Sequence, residues 1–186
     1  MTFFKKSARG LMCALAVSSA LLAGCAGPQI SDYAAEKPAL DLRQYFTGTV
    51  DAYGIFTDRS GKVVKRFTVE MICSWTGVPG QEVGVLDEYF TYSDGTKDRR
   101  VWTLKRGADG KYIGTAGDVL GVANGEVKGN AFRWGYTLLL PVDGKTIEVQ
   151  FDDWMYLMND KIMLNKADMS KFGFKLGEVT LTFVKR

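Results

Sequence analysis

The sequence predicts an all-β chain, an antiparallel up-and-down β-barrel of about 8–10 strands with minimal helix. Three observations carry this. From residue 41 on, nearly every apolar stretch is short, rich in Val, Ile, Thr, Phe, Tyr and Trp, and alternates with polar positions. Asp-Gly, Asn-Gly and similar pairs divide the stretches, and they supply the positive backbone dihedrals of tight reversals, so consecutive strands pair antiparallel. A sheet this wide must also close or stack, because left open it exposes unpaired edges, and a regular meander of short hairpins favours closure.

The elements follow in order. Asp58-Arg59-Ser60-Gly61 separates strands over 43–56 and 62–75, and Ser93-Asp94-Gly95 separates 84–92 from 98–106. Ala108-Asp109-Gly110 leads into 111–116, and Asn124-Gly125 is expected to join 117–123 to 126–129. Pro141-Val142-Asp143-Gly144 reverses the chain between 130–140 and 145–157, Asn159-Asp160 leads into 161–166, and 176–185 closes the set. Ala167 to Phe174 is the one stretch suited to a short helical turn.

Ahead of this domain stand Lys5, Lys6 and Arg9, the apolar run Leu11 to Ala23, and the tetrapeptide Leu22-Ala23-Gly24-Cys25. The run falls short of the about 20 apolar residues of a spanning helix and is interrupted by Ser18 and Ser19. The pattern resembles a bacterial lipobox, with cleavage before Cys25 and lipidation of its thiol. Ala26, rather than Asp, follows the cysteine, which in that sorting pattern favours the periplasmic leaflet of the outer membrane. The expected organisation is a signal peptide over 1–24, a lipidated flexible tether over 25–40 carrying Pro28 and Pro38, and a single barrel domain over 41–186.

Removing the signal also removes the charge. Lys5, Lys6 and Arg9 account for the whole formal excess of +3, so the remainder is balanced and has no electrostatic footprint for nucleic acid. Of the three cysteines, Cys13 leaves with the signal and Cys25 takes the lipid, so Cys73 stands alone, in phase with Phe67, Val69, Met71 and Trp75, as a core residue. The chain contains no histidine, which excludes Ser-His and Cys-His catalysis and most catalytic zinc sites. No catalytic residue, metal ligand or cofactor is assigned. A membrane-spanning barrel is excluded as well, because Asp98-Arg99-Arg100-Val101-Trp102-Thr103-Leu104-Lys105-Arg106 puts charge on both phases of the alternation.

The candidate ligand site is aromatic: Trp75, Tyr89, Trp102, Arg133, Trp134, Tyr136, Trp154 and Tyr156. Trp134-Gly135-Tyr136 and Trp154-Met155-Tyr156 each point two rings to one side of a strand, and Phe132, Trp134, Tyr136, Leu138 and Leu140 share one face. Two readings stand, in which these rings either fill the barrel or line a pocket whose Tyr hydroxyls and Trp N–H groups orient a ligand's polar end. Asp87-Glu88 and Asp152-Asp153 place their carboxylates on opposite faces, so within each pair one acid points inward, where it could meet Arg100 or Arg133.

The runs Leu42-Arg43-Gln44-Tyr45-Phe46-Thr47-Gly48, Leu86-Asp87-Glu88-Tyr89-Phe90-Thr91-Tyr92-Ser93-Asp94-Gly95 and Phe151-Asp152-Asp153-Trp154-Met155-Tyr156-Leu157 resemble the DUF3833 family of proteobacterial lipoproteins. The segments Leu164 to Ala167, Lys171 to Gly173 and Leu176 to Val179 fit as well. The resemblance implies a lipocalin-like (calycin-like) barrel in a lipid-facing role, with no catalytic residues assigned. Two functions are therefore expected. One is a membrane-anchored barrel that binds a fatty acyl or other small apolar ligand; the other is a solid barrel that docks a periplasmic protein partner. A carboxylate-based enzyme stands third.

Overall fold

The computed structural model describes residues 27–142 and 144–186, so the signal segment and Cys25 lie outside the described residues. Ten strands run in sequence: β1 (Gly48–Asp58), β2 (Val63–Thr76), β3 (Val83–Tyr92), β4 (Lys97–Arg106), β5 (Tyr112–Thr115), β6 (Ala123–Lys128), β7 (Ala131–Val142), β8 (Lys145–Leu157), β9 (Ile162–Lys171) and β10 (Phe174–Lys185). Each pairs antiparallel with the next, and β1 pairs with β10 from Val50 opposite Lys185 to Asp58 opposite Gly177, so the barrel closes without an edge. The turns obey the chemistry read from the sequence. The Asp58 carboxylate accepts from the backbone N–H groups of Ser60 and Lys62, and Asp94 does the same for Thr96.

Three local expectations are corrected. Asn124-Gly125 lies inside β6 and makes no turn. Gly125 sits there because a Cβ would stand 2.5 Å from the Phe132 ring, so the glycine makes room for the aromatic packed over it. Residues 117–122 leave the ladder and touch β7 through the Val119–Leu138 bridge. Ala167 to Phe174 forms no helical turn, because Met163, Asn165, Ala167 and Met169 keep the inward phase of β9 and the chain reverses at Phe172-Gly173, both with positive φ. The short helix lies elsewhere, in α1 (Leu42–Tyr45), capped at its N-terminus by the Asp41 carboxylate.

This helix closes one end of the barrel. Leu42, Tyr45 and Phe46 are buried in the core, the Tyr45 hydroxyl donates to the carbonyl oxygens of Lys161 and Phe183 at 2.9 and 3.2 Å, and Trp75 Nε1 donates to that of Phe46 at 2.6 Å. Apolar side chains thus point inward, while the outer face of β4 carries Lys97, Arg99 and Lys105. That is the reverse of a membrane-spanning barrel, which turns its apolar face to lipid. Among the described residues no helix is long and apolar enough to cross a membrane.

The segment expected as flexible tether differs from that expectation over much of its length. Ile30–Tyr33 forms a 3-10 turn, the Tyr33 ring rests 5.7 Å from that of Trp154 and 5.3 Å from that of Tyr156, and the Leu40 N–H donates to the Gly129 carbonyl. Aromatic burial against the outer wall offsets the entropy of ordering this stretch. Gly129 makes the contact feasible, because it has a φ of +53° and a Cβ there would collide with the carbonyl oxygens of Tyr33 and Glu36. Gly129→Ala is therefore expected to undock the segment, with chymotryptic cleavage after Tyr33 at least about tenfold faster while the far-UV spectrum keeps its β signature. Unchanged cleavage would show that the docking does not depend on this close approach.

Candidate functional site

Alternation decides what faces the interior. On β7 it is Phe132, Trp134, Tyr136, Leu138 and Leu140, the face read as aromatic from the sequence. Both readings of the aromatics then hold, each in one half of the barrel. Near α1 the interior is solid: Trp75 covers Gly84, and Tyr112 packs edge-on to both Trp75 and Phe132. Towards the hairpins at the other end it is hollow, a cavity of about 1090 Å³ that opens past Lys65, Thr96, Lys97 and Val142. Trp102 and Trp134, with rings 4.5 Å apart, stand in its wall with Tyr136 above them.

The candidate ligand residues therefore divide. Trp102, Trp134 and Tyr136 line the cavity, and Trp75 belongs to the solid end. Tyr89, Arg133, Trp154 and Tyr156 are on the outer face and do not reach the interior, because they occupy the opposite phase from Glu88, Trp134, Asp153 and Met155. Tyr89 donates to Asp87, which Arg99 clamps with two bonds of 2.8 Å. Arg133 pairs with Asp152 and lies over the Trp154 ring at 4.7 Å, and Trp154 is buried under Tyr33. The two Trp-x-Tyr motifs are alike in sequence and opposite in direction.

The polar groups of the interior come from the inward acids. Asp153 Oδ2 accepts from Trp134 Nε1 at 3.0 Å and from the Tyr136 hydroxyl at 3.1 Å, and Oδ1 accepts from the Asn165 amide. Burial pushes its pKa up to about 6 against the pull of those three bonds, and it pushes the Tyr136 hydroxyl well above its ordinary value. Two of the donors that sequence reading offered to a ligand, Trp134 and Tyr136, are thus already committed to Asp153. Glu88, on β3, stands between Met71 of β2 and Arg100 of β4 in the strand register. Its carboxyl is 4.0 Å from the Arg100 guanidinium, too long for a hydrogen bond, and burial pushes its pKa up to about 7 although Arg100 opposes this.

Arg100 bonds Asp118 instead, at 2.6 to 3.0 Å. Burial works against the guanidinium charge, and the Asp118 bond and the nearby Glu88 hold it above its ordinary value. The ion pair has a structural place: β4 pairs with β5 only from Thr103 on, and Asp118 comes from the loop that replaces the ladder above that point. Asn165 and Asp118 were not singled out from the sequence. Asn165 had a signal, as the one polar residue in the inward run Met163, Asn165, Ala167, Met169; Asp118, in a loop, had none. Cys73 faces the core, and burial pushes its thiol up to about 12, the state of an inert cysteine.

A closed antiparallel barrel, solid at one end and hollow at the other, defines a lipocalin-like protein, the barrel size at which one small molecule can be enclosed. The S-type phycobiliprotein lyase CPES of Guillardia theta has a similar fold, with a TM-score of 0.60 and 7% identity over 86% of this chain and 98% of that one. At that identity the likeness concerns the fold alone. The chain belongs to the DUF3833 family, described as proteins of unknown function, whose model matches residues 19–185. Comparison with curated proteins gives no match.

Proposed function

We propose that this protein is a lipoprotein, lipidated at Cys25 and held on the periplasmic leaflet of the outer membrane, whose barrel binds or carries one fatty acyl or similarly apolar molecule without catalysis. The observation that carries this reading is the cavity: its volume of about 1090 Å³ is at the upper end of small-molecule sites, and its apolar wall is broken by a few convergent polar groups. The lipobox and the balanced charge beyond it support the address and argue against nucleic acid. Native mass spectrometry of the gently purified protein is expected to show a co-purifying apolar molecule. Quenching or enhancement of Trp102 and Trp134 fluorescence is expected to report uptake of an apolar dye.

Ala167 is buried in the cavity wall, so Ala167→Trp places an indole in the space a ligand would take. Dye binding is expected to fall at least about tenfold in a variant whose circular dichroism is unchanged. Full binding in that variant, or no uptake by the wild type, would refute a carrier role. A second reading, docking of a periplasmic protein partner, is favoured by the hairpin tip between β9 and β10, where Phe172 and Phe174 are 85% and 76% exposed. A photo-crosslinker at position 172, used in cells, is the measurement that would support it by trapping one stoichiometric protein.

A further inference from the structure

We propose that Glu88 anchors the ligand's polar head, and that the barrel therefore selects an apolar molecule ending in a hydrogen-bond donor, an amide or ammonium N–H, over a free fatty acid. The inference rests on the carrier reading above and names the chemistry that the cavity prefers. Glu88 differs from Asp153 and Arg100, the charged groups beside it in the inner cavity. Asp153 is saturated by Trp134, Tyr136 and Asn165, and Arg100 turns its fork to Asp118. The Glu88 carboxyl, only 12% exposed, receives no hydrogen bond among the described residues and borders the cavity. A carboxyl with no hydrogen-bond donor on the wall of a largely apolar cavity is costly to the protein alone, and a donor arriving with a ligand would satisfy it.

The charges around Glu88 favour a donor as that ligand's head group. On β2 its neighbour is the neutral Met71, on β4 it is Arg100, and Asp118, Asp153 and, on its own strand, Asp87 are the acids that act on it. Arg100 is paired with Asp118, so a carboxylate seated beside Glu88 would meet Glu88 and Asp153, while the further lysines of the lining, Lys65 and Lys97, stand at the opening. A neutral amide or an ammonium meets acceptors. Burial holds the Glu88 proton to about pH 7, so above that pH the acceptor is a carboxylate and the preference for donors is strongest.

The test uses the full-length protein loaded with Nile red, displaced by dodecanamide, dodecylamine or laurate, which share one chain length. At pH 8 the amide and the amine are expected to displace the dye at concentrations at least about tenfold below that of laurate. Glu88→Gln is expected to shrink the ratio between laurate and amine at least about fivefold, read within each protein so that overall affinity does not enter. Lowering the pH of the wild type from 8 to 6, where laurate stays largely ionised and Glu88 takes its proton, is expected to narrow the same ratio, an arm that depends on no variant. Laurate binding as well as the amide and amine, or an order that survives both the substitution and the pH change, would overturn the assignment of Glu88 and leave the carrier reading standing. Failure of Nile red to bind at all would overturn both.

Discussion

Asp153→Ala is expected to destabilise the barrel by about 3 to 5 kcal/mol and to lose most cavity binding with it. Three donors from two strands converge on this carboxylate: Trp134 Nε1 and the Tyr136 hydroxyl from β7, and the Asn165 amide from β9. Trp134 and Asn165 are themselves buried, so removal of the acceptor leaves donors that water cannot easily reach. Each orphaned buried donor costs about 1 to 3 kcal/mol, and a void opens where the side chain stood. Asp153→Asn, which keeps one oxygen for Trp134 and Tyr136, is expected to cost less than half as much. Urea unfolding of the three proteins at pH 7 checks the order. Equal stability of wild type and the alanine variant would show that the network is looser than its distances.

Glu88→Gln is expected to act in the opposite direction and to depend on pH. An acid whose pKa is higher in the folded than in the unfolded chain binds its proton more tightly when folded. Its contribution is present at low pH and is lost as pH rises from the ordinary glutamate value of 4.5 to about 7. Over that window the loss is roughly 3 kcal/mol at about 1.4 kcal/mol per decade. The neutral glutamine has no such loss. The variant is therefore expected to match wild type near pH 4.5 and to melt several degrees higher at pH 8, which differential scanning fluorimetry across pH would resolve. Carboxylates held below their ordinary values, such as Asp87 beside Arg99 and Asp51 beside Arg186, destabilise both proteins alike at low pH and cancel in the difference. A variant no more stable than wild type at pH 8 would mean that the Glu88 charge is well solvated in the folded protein. A gain would fit a side chain kept for binding at the expense of stability.

The alternation of apolar and polar residues made the barrel legible, because period two on β7 and β8 leaves no other regular structure to adopt, and Asp58, Asp94 and Asn159 announce their turns. What alternation does not carry is direction. Trp134-Gly135-Tyr136 and Trp154-Met155-Tyr156 read alike, yet one pair lines the cavity and the other receives Tyr33 on the outer wall. The sharper signal for the interior was the polar residue that breaks an apolar inward run: Glu88 between Leu86 and Phe90, Asp153 between Phe151 and Met155, Asn165 between Met163 and Ala167. Such a residue must be satisfied by a partner or reserved for one. Asn124-Gly125 misled for a related reason, since the glycine's lack of a side chain serves the Phe132 ring across the sheet and not a turn. The docking of residues 30–40 was illegible because it depends on Tyr33 and Gly129 meeting across about a hundred residues of chain.

The plug made by α1 has a kinetic consequence. Tyr45 and Trp75 tie the helix and Phe46 to the barrel floor by backbone carbonyls on several elements, so among the described residues the end under α1 is closed and the cavity opens at the far hairpins. Whatever enters must leave along the same path in reverse. Net transfer would then be set by the relative affinities and concentrations of donor and acceptor at that opening, and the barrel itself would impose no direction.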